Sequence, residues 1–546
     1  MEWKITYGVF PLILVVAVTA TLKSIPGPPY GGDLYFHNGI AEAIYRGTFL
    51  FHDPTNLHGY AFYPWSYHLI VSLLAHPFGD TIPVTVHIMP PLILLLSMTG
   101  VYLLVKEVTN RNVALLSVGL PLALVFPEPH PHVLLQMVML PLSFWALARY
   151  LKRPSTHNGI IVGITWGLSG LTHVLGTFGL GAILLVNAAW DFIQKPCTKT
   201  IEQWLTPLLT GTLILMLYWG PLLFVYHGRT LNPYQSLVMA HYTLLDFTWG
   251  MLTFFVSYSW KAVLSLVVLF GFYSMIKGRK VLAFRLLASS VVGLFLVGVV
   301  FILLGDPLIS YKMHLYYFTL TVLLSSLGFE RILLSSNRVE RSFAVVAIIL
   351  LLLSTLTVSG FVSNKWTQNG FEEFPFENLQ KWILSNTSPN DVILSNYESS
   401  FMIFSISGRK TVLFRRTHAS PFVDYNRRSA DMMVALLGDN TTKSLELLKS
   451  YHVRYIYIDG MTAKDPLWVP FSYKEYLVSH GVPCKVEWVR YDPADPESTK
   501  IKACVANFSV SRILTYLKVV YKDNWSTIFE VEYPSDSTNR LVYKSD

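Results

Sequence analysis

The sequence predicts a polytopic α-helical membrane protein with about eleven transmembrane spans, juxtamembrane helices and a carboxy-terminal extracytoplasmic α/β domain. Of its 546 residues, 52% are hydrophobic and only 14% are charged, well below the charged fraction of soluble domains. Apolar windows long enough to cross a bilayer recur up to about residue 362, and beyond it the chain becomes polar. We therefore predict a transmembrane domain at 1–362 and a soluble domain at 363–546.

The windows are assigned by length, because about 17–25 apolar residues cross the hydrocarbon core. The first resembles a signal anchor, since its apolar run exceeds that of a usual signal peptide. The stretch 64–79 is apolar but short and contains Trp, His and Pro, which predicts a juxtamembrane or half-inserted helix. The predicted spans lie near 5–22, 84–105, 113–126, 133–148, 160–172, 174–190, 204–226, 249–276, 281–304, 311–328 and 343–362.

The distribution of basic residues predicts the orientation in the cell membrane. The loops on the side of the N-terminus hold fourteen Lys and Arg, and the opposite loops hold four. Because cytoplasmic loops are enriched in basic residues, we predict a cytoplasmic N-terminus and an extracytoplasmic carboxy-terminal domain. The net charge of +8 is explained by this asymmetry, so we expect no nucleic-acid partner.

The carboxy-terminal domain is predicted from alternating helix and strand patterns. A helix at 377–388 precedes strands at 391–395 and 411–414, and a helix at 443–450 precedes a strand at 453–458. Cys484 and Cys504 lie on two β-prone stretches, and a hairpin centred near residue 494 would place them opposite each other. A disulfide could form there, because the predicted compartment permits one.

The most reactive stretch is the polar first loop, which begins with Gly31-Gly32-Asp33-Leu34-Tyr35-Phe36-His37. A carboxylate and an imidazole four residues apart, beside a hydrophobic wall, indicate a reactive site at a membrane surface. An ordinary polar loop is the alternative. The topology brings further candidates from other loops to the same face: Glu128, His173, Arg229, Asp306, Lys312 and His314.

Several of these candidates have two interpretations. Glu128, His130 and His132 alternate along an extended loop and could hold a divalent metal such as Mn, Mg or Zn, or could form a proline-stiffened turn with solvated histidines. His173 could be a packed histidine or a site residue. Lys312 could snorkel to headgroups or bind a phosphate. The basic run 415–428 could approach lipid phosphates or an acidic acceptor, or be a solvated loop.

The motifs together resemble the GT-C membrane glycosyltransferases that use polyprenyl-phosphate sugars. The resemblance lies in residues 31–37, the run Tyr63-Pro64-Trp65-Ser66-Tyr67-His68-Leu69, the short acidic second loop and Leu171-Thr172-His173. The carboxy-terminal domain looks like those of archaeal members related to protein mannosyltransferases, aminoarabinose transferases and oligosaccharyltransferases.

The resemblance implies transfer of a sugar from a polyprenyl (dolichyl) phosphate to a hydroxyl of a protein, lipid or glycan, with inversion. It implies Asp33 as the general base or as the carboxylate that orients the acceptor. Glu128 is a second catalytic candidate, and the leaving phosphate would benefit from a cation, for which Lys312 and Arg229 are candidates. Protein O-mannosyltransferases are expected to carry Asp-Glu here, but Leu34 follows Asp33. The Trp-Trp-Asp-Tyr-Gly run expected of oligosaccharyltransferases is missing from the sequence, which favours transfer of a single sugar.

Two other functions remain open at this point. A lipid-linked oligosaccharide transferase of divergent motif would share the architecture. A polyprenyl or lipid transporter without catalysis would favour charged residues at the bilayer midplane, whereas here the ionisable residues gather at the exterior ends.

Overall fold

The computed structural model describes residues 32–56, 59–125, 127–226, 241–253, 262–278, 280–334, 376–460, 466–490, 499–506 and 513–533. The chain divides into two compact units. The membrane unit comprises Met1–Tyr45 and Ala61–Phe374, and the carboxy-terminal unit comprises Arg46–Tyr60 and Pro375–Asp546. The predicted windows 5–22 and 343–362 and the predicted boundary at 362 lie outside the described residues.

The described part of the membrane unit is helical. Its helices are α1 (Gly32–Tyr45), α2 (Ser66–Ala75), α3 (Val84–Val108), α4 (Arg111–Ser117), α5 (Leu120–Leu124), α6 (Pro131–Lys152), α7 (Thr156–Thr172), α8 (Val174–Gln194), α9 (Thr198–Phe224), α10 (Leu244–Thr253), α11 (Ala262–Lys277), α12 (Val281–Leu303), α13 (Pro307–Lys312) and α14 (Tyr317–Leu334).

Among the described residues, five helices are long and apolar enough to cross a membrane: α3, α6, α8, α9 and α12. The prediction of a mostly helical membrane protein is therefore confirmed, whereas the count of about eleven spans stays a prediction. The window 113–126 forms two short helices rather than one, because the chain turns at Val118 and Gly119 before Pro121 enters the first turn of α5.

Prolines also shape two of the long helices. A π-helical turn at Val84–Ile88 precedes Pro90 in α3, and another at Leu135–Met139 precedes Pro141 in α6. Because proline has no N–H to donate, the regular ladder is interrupted one turn before it, and a π turn accommodates the change.

Close contact between α7 and α9 depends on small residues. A Cβ atom added to Gly163 would lie 2.5 Å from the Thr210 Cβ, and one added to Gly167 would lie 2.6 Å from the Ile214 Cβ. Glycine at these positions lets the two backbones approach, which is how helices in membranes gain packing contact. This pair supports the segment at Thr172 and His173, where α7 ends.

The carboxy-terminal unit is a mixed α/β structure with two sheets. Its helices are α15 (Phe376–Asn386), α16 (Tyr397–Ser407), α17 (Tyr425–Leu437), α18 (Thr441–Ser450) and α19 (Lys474–Val478). Its strands are β1 (Val392–Leu394), β2 (Lys410–Thr411), β3 (Val453–Asp459), β4 (Leu467–Pro470), β5 (Lys485–Arg490), β6 (Lys500–Ala506), β7 (Lys518–Lys522) and β8 (Ser526–Glu530).

The larger sheet has the strand order β2-β1-β3-β8-β7, and the smaller has the order β4-β6-β5. Strand β1 pairs parallel with β2 and β3, whereas β8 pairs antiparallel with β3 and β7. The crossover from β1 to the parallel β2 runs through α16, as a parallel connection requires. The unit's main core lies under α17 and α18, where Met432, Leu436 and Leu448 are buried with Ile456 of β3.

Cys484 and Cys504 form a disulfide. Strands β5 and β6 pair antiparallel, as the predicted hairpin requires, but the register places Val486 opposite Cys504. The bond therefore runs diagonally across the ladder from the residue just before β5. Its buried end, Cys504, lies in the central strand of the smaller sheet.

The segment Arg46–Tyr60 comes from the first loop but folds with the carboxy-terminal unit. Within that unit, the Thr411 N–H donates to the Thr55 carbonyl at 2.8 Å, and Arg428 donates to the Asn56 side chain at 3.0 Å. Asp53 is fully buried, and its Oδ1 accepts from the Thr55 N–H and hydroxyl at 2.8 and 2.5 Å. Glycine is needed at position 59, where a Cβ would lie 2.5 Å from Asp53 Oδ2.

Candidate functional site

Asp33 and His37 lie one turn apart at the start of α1. Asp33 is exposed in the first turn, while His37 is buried, with 4% of its surface exposed. Burial and the neighbouring His68 and His130 lower the pKa of His37, and the charge of Asp33 opposes that shift. The predicted pair of carboxylate and imidazole is therefore on one face of one helix.

Tyr63, in the segment before α2, and His68, in the first turn of α2, add to this pair. The Nε2 atom of His68 lies 3.0 Å from Nδ1 of His37, and the Tyr63 ring centroid lies 5.1 Å from that of His37. Neither residue was predicted as a site residue. The signal in the sequence was the density of aromatic and histidine rings in the run 63–68, at the start of the predicted half-inserted helix.

Hydrogen bonds to two helices and to the second loop hold Phe62 and the first turn of α2 in place. The Tyr218 hydroxyl of α9 donates to the Phe62 carbonyl at 2.7 Å, and the Ser66 and Thr172 hydroxyls lie 3.2 Å apart. The Tyr67 hydroxyl donates to the carbonyl of Pro129 in the second loop. Each such bond contributes about 1 kcal/mol when buried, and together they connect α2, α7 and α9 to the second loop.

The second loop brings Glu128 and two more imidazoles. Oε2 of Glu128, a side chain that is 42% exposed, lies 3.3 Å from Nδ1 of His130. The His130 ring stacks on His132 at 5.0 Å between centroids and meets the His37 ring edge-on at 5.9 Å. This loop therefore reaches the pair on α1.

His173 occupies the junction between α7 and α8. It is buried, its Nδ1 accepts the Leu175 N–H at 3.2 Å, and its ring lies 5.9 Å from that of Tyr63. The histidine thus caps α8 and also contacts the wall of the site. Both interpretations from the sequence have support in this geometry.

The fifth loop contributes the cation. Burial lowers the pKa of Lys312, and the charges of Asp33 and Asp306 oppose this effect. Burial also raises the pKa of Asp306, which directly precedes α13. His314 lies in the turn that follows α13, where its Nδ1 donates to the Tyr311 carbonyl at 2.8 Å. Lys312 is therefore a half-buried cation within electrostatic reach of Asp33.

Arg229 lies outside the described residues, so its predicted role stays a prediction.

The predicted metal ligands do not form a metal-holding group. Within the described residues, no cluster of three or more His, Cys, Asp or Glu side chains has a suitable arrangement. Glu128 pairs with His130 instead, and the rings of His130 and His132 stack on each other. The fit of these residues to Mn, Mg or Zn is poor, so we derive no chemical step through a metal.

The basic run of the carboxy-terminal unit is engaged within that unit. Arg415 pairs with Glu398, and Arg427 pairs with Asp431 at 3.0 Å. Arg416 is buried, with its guanidinium 3.4 Å from the centroid of the Trp468 ring. Arg416 is therefore not solvated, because it packs against Trp468, whereas Arg427 stays about half exposed in its pair with Asp431.

The fold and the site together describe an integral membrane protein with ionisable side chains from several loops around one carboxylate. No protein-family model and no curated protein matches the sequence. Solved structures do match. ArnT from Cupriavidus metallidurans in the apo state has a TM-score of 0.52 and 12% identity, over 92% of this chain and 99% of ArnT. ArnT bound to undecaprenyl phosphate has a TM-score of 0.52 at 11% identity.

Two further matches are weaker. The archaeal oligosaccharyltransferase AglB from Archaeoglobus fulgidus, in complex with an inhibitory peptide and a dolichol-phosphate, has a TM-score of 0.48 and 13% identity over 91% of this chain and 74% of AglB. The arabinofuranosyltransferase AftD from Mycobacteria has a TM-score of 0.49 and 14% identity over 91% of this chain and 40% of AftD. The matched proteins are GT-C glycosyltransferases, and the match to ArnT confirms the predicted resemblance in fold.

Proposed function

We propose that this chain is a GT-C-type glycosyltransferase that moves a single sugar from a polyprenyl (dolichyl) phosphate to a hydroxyl of a protein, lipid or glycan. The observation that supports this best is that Lys312, a half-buried cation, lies within electrostatic reach of Asp33, which is exposed at the start of α1. Such a transfer needs a base that takes the proton of the acceptor hydroxyl and a cation that stabilises the leaving phosphate. A carboxylate and a cation at one membrane face can supply both.

The reaction is a displacement at the anomeric carbon. The acceptor hydroxyl attacks that carbon while Asp33 takes its proton, and a new carbon–oxygen bond forms. The bond between the anomeric carbon and the phosphate oxygen breaks, and its electron pair stays on the phosphate. Lys312 stabilises that charge, and attack from the face opposite the phosphate inverts the configuration.

The neighbouring groups are assigned to binding the two substrates. His37 and His173 line the site beside Tyr63, and Asp306 and His314 flank Lys312 on the fifth loop. Glu128 is the second candidate base, and Arg229 is a second candidate cation. The prenyl tail would lie among the apolar helices; ArnT, which shares the fold, has been solved bound to undecaprenyl phosphate.

The site is assigned to the extracytoplasmic face. The fourteen basic residues on one side of the predicted spans and the four on the other support a cytoplasmic N-terminus. The donor lipid would then be used where the sugar faces the outside of the cell.

The substitution Asp33→Asn tests the proposed function, because it removes the base and keeps the shape. Purified protein is supplied with radiolabelled polyprenyl-phosphate sugars and an extract containing membranes and proteins as acceptors. We expect transfer by the wild type and a loss of at least about 100-fold in the variant, the usual contribution of a general base.

Asp80→Asn is the matched control, since Asp80 lies in the turn before α3 and caps the Ile82 N–H. Equal transfer by the wild type and Asp33→Asn would show that Asp33 is not the base. Glu128 would then be the next residue to substitute. No transfer by either protein with any donor would favour a transporter.

A further inference from the structure

Two buried histidines from different helices share a hydrogen bond beside Asp33. His37 of α1 is 4% exposed and His68 of α2 is fully buried. Nδ1 of His37 lies 3.0 Å from Nε2 of His68, and the ring centroids are 5.2 Å apart. One of the two nitrogens donates and the other accepts, so the pair shares a single proton in this bond.

The other described contacts of His37 are ring contacts. Its centroid lies 5.1 Å from Tyr63, 6.4 Å from Tyr67 and 5.9 Å from His130, all in edge-on or tilted arrangements. Such contacts limit the space around a ring but define its rotation weakly. Among the described residues, the bond to His68 is the directional contact that fixes the His37 ring.

The first turn of α2, which carries His68, is anchored through the two residues that precede His68. Ser66 hydrogen-bonds to Thr172, and Tyr67 donates to the Pro129 carbonyl. The bond to His68 engages Nδ1 of His37, which leaves Nε2 for a substrate. The hydrogen bond from His68 of α2 thus orients the ring of His37 on α1, the helix that also carries Asp33.

We propose that His68 is a positioning residue whose hydrogen bond fixes the His37 ring, so that Nε2 of His37 meets substrate hydroxyls next to Asp33. This inference rests on the proposed function and deepens it. The hydroxyl-bearing substrate would be bound by a carboxylate and an imidazole one helical turn apart, with the imidazole oriented from a second helix.

The pH dependence follows from the groups that face His37. Burial, His68 and His130 lower its pKa, and Asp33 raises it, so the ring is neutral near neutral pH. Substitution of His68 removes one of the causes that lower the pKa of His37, so that pKa should rise. The acid limb of the pH–rate profile should therefore move to higher pH. The titratable groups around the His37 ring are Asp33 on its own helix, Tyr63, Tyr67 and His68 from the next segment, and His130 and His132 from the second loop.

His68→Leu and His68→Gln in the full chain test the proposal. We expect His68→Leu to lower kcat by about 10- to 100-fold, with little change in the donor KM, because orienting partners contribute on that scale. We expect the acid limb to move to higher pH. His68→Gln can keep the hydrogen bond through its amide and should recover most of the rate.

His76→Leu is the matched control, since His76 is exposed at the end of the same helix. An unchanged kcat and acid limb in His68→Leu would overturn the proposal, as would an equal effect of His76→Leu.

A separate measurement needs no activity. In protein labelled with ¹⁵N-histidine, the wild type should show a coupling between ring nitrogens of His37 and His68 that His68→Leu lacks. If the wild type lacks that coupling, the inference about His68 is wrong. This result does not depend on whether the proposed glycosyltransferase activity is found.

Discussion

At the scale of single residues, Lys312 lies in an environment unlike that of an ordinary surface lysine. Burial lowers its pKa, while Asp33 and Asp306 keep the charged form favoured. A desolvated cation interacts more strongly with a phosphate than an exposed one does, because the local dielectric constant is lower. The residue is therefore suited to hold and stabilise a lipid phosphate.

Lys312→Met should weaken the binding of a polyprenyl phosphate by at least about 10-fold, since it removes a charge-assisted contact and keeps the length of the side chain. Binding of undecaprenyl phosphate or dolichyl phosphate to purified protein measures this effect. Lys106→Met, at an exposed position of α3, is the matched control. Equal affinity of Lys312→Met and the wild type would remove Lys312 from the phosphate site.

The affinity for the lipid phosphate should also depend on pH through Lys312. Its pKa lies below the usual 10.5, and the charge that binds phosphate is present below that pKa and lost as the pH rises through it. Affinity should therefore fall at a lower pH than a free lysine would allow. Lys312→Arg should keep its affinity into the alkaline range, and a profile identical to that of the wild type would contradict this account.

The sequence was sufficient to propose Asp33, His37 and Lys312, because ionisable side chains beside apolar segments are rare and costly. It was insufficient for His68 and Tyr63. Their roles depend on contacts between α1 and α2, and nothing in the local pattern distinguishes a histidine that packs from one that orients a neighbour. Glu128 was predicted both as a catalytic candidate and as a possible metal ligand, and its carboxylate lies beside His130.

At the scale of elements, the disulfide between Cys484 and Cys504 stabilises the smaller sheet. It closes a loop with a sequence separation of 20 residues between the two cysteines. In the chain-entropy model, a loop of this size contributes about 3 kcal/mol by restricting the unfolded chain. The smaller sheet has three strands, and the bond joins β6 to the residue before β5.

The double substitution Cys484→Ser and Cys504→Ser should lower the free energy of unfolding of the carboxy-terminal unit by about 3 kcal/mol. Thermal unfolding and the rate of proteolysis measure the change, and adding a reductant to the wild type should have the same effect. Cys197→Ser, at the exposed free cysteine, should change neither. Equal stability of the double variant and the wild type would show that the sheet does not depend on the bond.

Elements were predicted well where a single signal governs them. Apolar windows located α3, α6, α8, α9 and α12, because length and hydropathy suffice for a span. They failed at 113–126, where the turn before Pro121 outweighs hydropathy. Strand β2 was predicted at 411–414 but covers Lys410–Thr411, because strand ends depend on the partner strand rather than on local propensity.

At the scale of the whole molecule, the two compact units do not correspond to two consecutive stretches of sequence. The first loop supplies Arg46–Tyr60 to the carboxy-terminal unit. Asp53 is fully buried there, and its charge opposes the effect of burial on the pKa of Lys410 and of Arg428. A segment that the sequence presents as a loop of the membrane domain is thus part of the core of the other unit. This assignment depends on contacts between residues more than 300 positions apart, which no local pattern shows.

Asp53→Asn should destabilise the carboxy-terminal unit by about 1–3 kcal/mol, because it removes the buried charge that opposes the effect of burial on the pKa of Lys410 and of the half-buried Arg428. Thermal unfolding of the full chain and protease resistance of the unit measure this change. Asp439→Asn is the matched control, since Asp439 is exposed in the same unit. Unchanged stability in Asp53→Asn would show that the segment is not anchored through its carboxylate.

The shared segment also has a consequence for the order of synthesis. Residues 46–60 leave the ribosome about 300 residues before the chain that completes their unit begins at Pro375. At roughly 5–20 residues per second, that interval is on the order of 15–60 s, far longer than a short loop takes to close. The nascent segment must therefore stay available, unfolded and soluble, while the helices between are inserted. Substitutions at Asp53, Thr55 or Gly59 should accordingly reduce the yield of assembled protein before they change the chemistry of the finished molecule.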